Sequence, residues 1–190
     1  MKRKYELKER ARRQAETRQR IVEAAVALHT SVGPARTTVS AIAERAGVQR
    51  HTVYAHFADE RKIFEACTAH WSDRHPFPDL AGSAATDDSD ARLRAALQDV
   101  YAWYEEVEAD VAIFRRDAQV HELNAEVIAE WDRMLAALAD ELARGRPRRK
   151  TVRAVIGHAL EFETWRSLVG RQGLTRRQAV DAMAQLVAAA

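Results

Sequence analysis

One cysteine, Cys67, stands among 190 residues, so no disulfide within the chain can brace the fold. Four prolines and seven glycines are too little punctuation for many short strands joined by tight turns. No run of about 18 apolar residues occurs, which excludes a spanning helix. The first residues alternate charges where a secretory leader needs an apolar stretch, so a cytoplasmic location without a membrane partner is expected. The His-Glu-x-x-His, P-loop, Gly-x-Ser-x-Gly and Gly-x-Gly-x-x-Gly patterns are missing, and no Glu has a His three residues later, as a di-iron bundle requires. The expectation is a non-enzyme with no catalytic residues, no metal and no cofactor. What is present is 47% hydrophobic and 31% charged, enough apolar material for one or two helical domains with a sizeable core.

Charge is unevenly spread. Residues 1–62 hold 14 Lys and Arg against 7 Asp and Glu, while 63–190 hold 16 against 21. Residues 1–20 alone carry nine cations, including Arg18 and Arg20, and only Glu6, Glu9 and Glu16 in opposition. Such an arm suits a phosphate backbone, and equally suits a solvated tail. A second cluster, Arg144, Arg146, Arg148, Arg149, Lys150 and Arg153, surrounds a Gly-Arg-Pro turn, where cations complement a helix C-terminus.

Apolar spacing predicts helices throughout. Ile21, Ala25, Leu28 and Val32 mark a first helix ending at Gly33-Pro34; Thr38 caps a second with Val39, Ile42, Ala43 and Ala46; Val48–His56 forms a third. Ile63, Cys67 and Trp71 belong to a fourth, ended by His75-Pro76-Phe77-Pro78 and a loop marked by Gly82, Ser83, Asp87, Asp88 and Ser89. Leu93, Leu97, Val100, Tyr104 and Val107 then make one stripe, with a shorter helix from Val111 to Val120 after a bend. Val127, Trp131, Met134, Leu135, Leu138 and Leu142 make another. A helix over 151–169 is apolar on more than one side, and Thr175 with Gln178 is a capping box that opens the last helix.

The segment from Thr38 to Phe57 has the pattern of a helix-turn-helix. Small Ala43 lets two short helices cross closely, Gly47 makes the turn, and Ile42, Ala46, Val48 and Val53 bury the crossing. The opposite face of the third helix carries Gln49, Arg50, His51, Thr52, Tyr54 and His56, whose groups can donate to phosphates or read base edges.

These residues, with Thr37-Thr38, Ala46-Gly47-Val48, Thr52-Val53-Tyr54, His56-Phe57 and Lys62-Ile63-Phe64, resemble the tetracycline-repressor (TetR-like) family of bacterial transcription regulators, over roughly residues 17–71. The resemblance implies an all-α fold: a basic arm at 1–16, a DNA-binding domain at 17–62 and a helical regulatory and dimerisation domain at 63–190. It implies a homodimer through the last two helices, a double-stranded operator as partner, and a small-molecule effector that ends repression. Thr37, Thr38 and Lys62 would serve DNA binding from the starts of the second and fourth helices. Gln49, Arg50, His51 and Thr52 are placed for bases, while Tyr54 and His56 would hold the backbone or simply pack and cap.

In the second domain, Trp103, Tyr104, Phe114, Trp131, Met134, Phe162 and Trp165 are candidates to line an effector pocket, with His121, His158, Arg115 and Arg116 as its polar contacts. Each alone is more often a core residue. Ile156, Leu160, Val180 and Val187 are expected in the dimer interface. The competing class is a helical small-molecule-binding or catalytic protein whose basic head has only nonspecific nucleic-acid affinity.

Overall fold

The computed structural model describes residues 2–80, 87–147 and 149–190, with side chains from residue 5. Gly82, Ser83 and Arg148, and the side chains of Lys2, Arg3 and Lys4, lie outside the described residues. Among those described there is no strand. Nine α-helices follow in order: α1 (Lys2–His29), α2 (Val39–Ala46), α3 (Arg50–His56), α4 (Glu60–Arg74), α5 (Ser89–Asp117), α6 (Glu122–Leu142), α7 (Lys150–Leu160), α8 (Phe162–Trp165) and α9 (Arg176–Ala189). A 3₁₀ turn, Pro34–Arg36, precedes α2, and a π-helical stretch, Arg166–Arg171, follows α8. The chain divides into two compact units, residues 1–76 with 109–128, and residues 77–108 with 129–190.

The first unit is built on α1 to α4. Ile21, Val22 and Ala25 from α1 meet Val39, Ile42, Ala43 and Ala46 from α2, Val53 and Phe57 from α3, and Ile63 and Cys67 from α4. Burying each larger aliphatic side chain here contributes about 1.5–3 kcal/mol. Residue 109 onward adds a second set of contacts: the Trp71 indole donates to Asp110 at 2.7 Å and meets Phe114 edge-on at 5.4 Å. The end of α5 also grips the chain entering α2. Asp117 accepts from the Ala35 N–H at 2.9 Å, and Arg116 donates to the Val32 carbonyl at 3.0 Å and to Asp117 at 2.7 Å. Gly33 fits beneath this clasp with φ +100°, where an added Cβ would lie 2.2 Å from Asp117 Oδ2.

In the second unit, Leu93, Leu97, Val100, Tyr101 and Tyr104 are fully buried along α5. Ile156 and Leu160 of α7 are buried with them, as are Val180 and Val187 of α9. These last four therefore belong to the core of a single chain, not to a dimer interface: each apolar stripe is already used inside the unit. The Thr175 and Gln178 capping box is in place, with Gln178 accepting from the Thr175 N–H at 2.9 Å. Much of the second basic cluster is engaged locally: Arg146 donates to the Ser89 carbonyl and Asp90, both at 2.7 Å, and Arg153 pairs with Asp140.

Two expected boundaries differ. There is no bend before Val111, because Glu108–Ala112 contains neither proline nor glycine to interrupt the helical ladder, and α5 runs unbroken to Asp117. Conversely, 151–169 is not one helix. It breaks at Glu161, whose backbone is extended at φ −67° and ψ 138°. The hydroxyls of Tyr101 and Tyr104 donate to the carbonyls of Ala159 and Leu160, both at 2.8 Å, and so satisfy acceptors that a continuing helix would have paired with residues 163 and 164.

Candidate nucleic-acid interface

The turn between α2 and α3 is closed by Gly47 in the left-handed region (φ 65°, ψ 40°), a conformation that costs glycine little and other residues more. Its N–H and that of Val48 return to carbonyls at the end of α2, the latter to Ala43 at 3.0 Å. At the other end of α2, the Thr38 hydroxyl accepts from the Ala41 N–H at 3.2 Å. Thr38 is thus exposed and caps its helix at once, whereas the half-buried Thr37 donates to the Gly33 carbonyl at 2.8 Å and closes the 3₁₀ turn.

On α3, Val53 and the following Phe57 point inward at 0% and 3% exposure. The opposite side is left to solvent: Gln49, Arg50, His51 and Tyr54 are exposed, and Thr52 and His56 half-buried. Arg50 lies over the Tyr54 ring at 5.7 Å, and its guanidinium stands 3.5 Å from the Tyr54 hydroxyl, which reinforces an already permanent charge. Six polar groups, one a fixed cation, thus share one short outward-facing helix.

Lys62 is placed differently from the others. It occupies the first turn of α4, whose N-terminus is capped by Asp59, the carboxylate accepting from the Lys62 N–H at 2.8 Å. The Lys62 ammonium meets Glu65 at 2.6 Å, a bond that raises its pKa. A phosphate at this helix end would compete with two carboxylates. Two residues contribute here that the sequence pattern does not tie to the helix-turn-helix. Arg18 lies over the Phe57 ring at 4.8 Å, beside the C-terminus of α3. Asp117 anchors the turn before α2, and nothing in the sequence ties it to that turn.

The eleven effector candidates do not gather in one place. Phe114 and His121 fall in the first unit, where His121 accepts from the Asn124 N–H at 3.2 Å and stacks near Phe64 at 5.5 Å. A cavity beside them, lined by His29, Thr37, Ile42, Phe64 and His121, measures about 50 Å³, too small for an organic effector. Arg115 and Arg116 also belong to the first unit, Arg116 in the clasp on Val32 and Asp117. The other seven fall in the second unit. Tyr104, Phe162 and Trp165 form a triangle with ring centres 5.3–5.7 Å apart, and Trp103 packs on Tyr104 at 5.6 Å and on Trp131 at 4.8 Å. Met134 is 40% exposed, and His158 lies within 3.2 Å of Thr164 and 3.6 Å of Glu161. The Trp165 indole N–H is buried without an acceptor among the described residues.

Cys67 is buried, its thiol donating to the Phe64 carbonyl at 3.1 Å, and burial pushes its pKa up to about 12, so it stays a protonated core residue. No three His, Cys, Asp or Glu residues cluster as a metal site among those described, and none of their helices is long and apolar enough to cross a membrane.

A helical protein whose N-terminal unit presents a helix-turn-helix has the architecture of the helix-turn-helix class. Within that class, residues 21–67 match the family of bacterial regulatory proteins named for TetR, and the chain resembles that family. It is 40% identical over 70 residues to two proteins of Pseudomonas putida, the HTH-type transcriptional regulator SrpR and the uncharacterized HTH-type transcriptional regulator TtgW. The match takes in 34% of this chain, and 32% and 51% of those two proteins, so the chain spans about a third and a half of their lengths. The solved structure of the SmeT–triclosan complex aligns over 92% of this chain and 90% of its own, with a TM-score of 0.61 and 20% identity. At that identity the likeness is one of fold.

Proposed function

We propose that this chain is a ligand-responsive transcriptional repressor that binds a pseudo-palindromic operator as a homodimer, with residues 17–62 as the DNA-binding head and 63–190 as the regulatory and dimerisation body. The observation that carries this reading is α3, a short helix locked into a helix-turn-helix by Gly47, Val53 and Phe57 while its polar face stays open to solvent. Gln49, Arg50, His51 and Thr52 lead that face into a major groove, Arg50 being the group best suited to guanine. Thr38, Tyr54, His56 and Lys62 hold phosphates around it. Two such helices would sit about 34 Å or a multiple apart.

The effector belongs in the second unit, against Trp103, Tyr104, Phe162 and Trp165, where the unpaired Trp165 N–H offers a hydrogen bond to an acceptor on an aromatic or apolar ligand. SmeT, which shares the fold, has a solved complex with triclosan, and this supports a ligand of that general kind. Release follows if the ligand prefers a body arrangement that misplaces the heads, and its size is bounded by that preference. Since α5 and α6 each supply residues to both units, they are the elements through which the preference would travel.

Binding by variants tests the assignment. Arg50→Ala should cost about 1–3 kcal/mol at the selected operator and relax one base position, whereas Lys62→Ala should weaken operator and random duplex alike. Equal losses on both DNAs for both variants would refute sequence reading by α3.

A further inference from the structure

We propose that residues 5–20 form a second DNA contact, a helical cationic arm that holds phosphates flanking the base-reading site without reading sequence. The proposal rests on the DNA-binding reading above and adds a surface to it. The segment is the first part of α1, a single unbroken helix to His29, yet its first fully buried side chain is Ile21. Residues 5–20 are exposed apart from half-buried Glu9 and Thr17. The segment's side chains are therefore open to a partner in solvent.

What it presents is positive charge. Arg12 sits between Glu9 at 2.9 Å and Glu16 at 2.6 Å, and so holds two of the segment's three acids. Lys8, Arg10 and Arg13 have no ion-pair partner among the described residues and remain available to a polyanion. Direction comes from Arg18. Its guanidinium lies over Phe57 at the C-terminal end of α3, so the arm leaves the core beside the recognition helix. At about 1.5 Å per residue, Arg13 and Lys8 stand about 7 and 15 Å farther along the axis.

Duplex DNA fits this surface better than an anionic membrane does. A membrane-surface helix needs an apolar stripe opposite its charges, and between residues 5 and 20 the only large apolar side chains are Tyr5 and Leu7, 68% and 61% exposed. A regular array of phosphates needs charge alone, and at about 3.6 residues per turn Arg10 and Arg13 share one side of the rod while Lys8 faces nearly opposite to Arg10.

The test is the salt dependence of binding by the full chain to its selected operator, carried in a longer duplex. The triple variant Lys8→Ala, Arg10→Ala, Arg13→Ala keeps good helix formers throughout, and circular dichroism checks that α1 persists. Its slope of log affinity against log salt should be shallower by about 2–3 per protomer, roughly 0.9 for each phosphate left without its cation. The base preference should not change, and the protected region should shorten at its flanks. The charge-preserving triple Lys8→Arg, Arg10→Lys, Arg13→Lys should keep the native slope. An unchanged slope in the alanine variant, or a slope lost also in the charge-preserving one, would overturn the proposal. So would binding to phosphatidylserine vesicles that falls with the alanine variant while DNA binding does not. A native chain that selects no motif would instead overturn the DNA-binding reading itself; a selected motif with unchanged slope overturns only the arm.

Discussion

At the scale of single residues, two positions fix the geometry on which the α2 and α3 pair depends. Gly33 combines φ +100° with the close approach of Asp117 and Arg116, so Gly33→Ala meets both backbone strain and a clash. It should cost at least about 2 kcal/mol, read by urea unfolding, and should weaken DNA binding further by loosening the entry to α2. His29 is the second. It is buried 3.3 Å from the Cys67 sulfur; burial first, then neighbouring His121, push its pKa down to about 4, with Asp117 pulling the other way. Its unfolded value is about 6.5, so the unfolded chain takes up the proton first as pH falls. The stability from neutral His29 is complete above about pH 6.5 and is lost as pH falls toward 4, by about 3 kcal/mol. Urea unfolding across that window should flatten by this amount in His29→Leu, and an unchanged pH profile would reject the assignment. None of this was legible in the letters: Asp117 lies 82 residues from Ala35, and only the fold brings them together.

Among elements, most of the plan could be read directly. Helical spacing of apolar residues located α1 to α4 because each buries one face, and Gly47 and the Thr175–Gln178 box declare local backbone geometry that needs no tertiary partner. The break at Glu161 could not be read, since nothing near it opposes a helix. It depends on the hydroxyls of Tyr101 and Tyr104, 58 and 56 residues away from the carbonyls they satisfy. Removing one leaves a buried acceptor unpaired. Tyr101→Phe should therefore destabilise the second unit by about 1–3 kcal/mol, seen in thermal unfolding, although the phenyl ring still fills the same space. A loss near zero would mean that the break does not need the tyrosine.

For the whole molecule, hydrophobicity told which residues are buried but not by what. Ile156, Leu160, Val180 and Val187 read as interface in the sequence, and the folded chain uses them as core. If α7 and α9 also pair two chains, they do so through outward positions, among them Ala154, Gly157 and Leu186. A Cβ added at Gly157 meets nothing within 4 Å, so Gly157→Arg should leave the monomer folded and yet split a dimer, lowering the mass measured by analytical ultracentrifugation. A dimeric Gly157→Arg chain would move the interface elsewhere. The candidate DNA face was legible because short-range pattern places it, whereas the effector candidates were scattered over two units because aromatic spacing does not distinguish lining from filling. The central claim, that α3 reads sequence for a paired protein, is tested most directly by selecting bound duplexes from a random library at near-physiological salt and sequencing them. The account predicts an enriched motif with two-fold symmetry and half-sites about one helical turn or a multiple apart. Recovery of random sequence by a folded, ligand-free chain would contradict it.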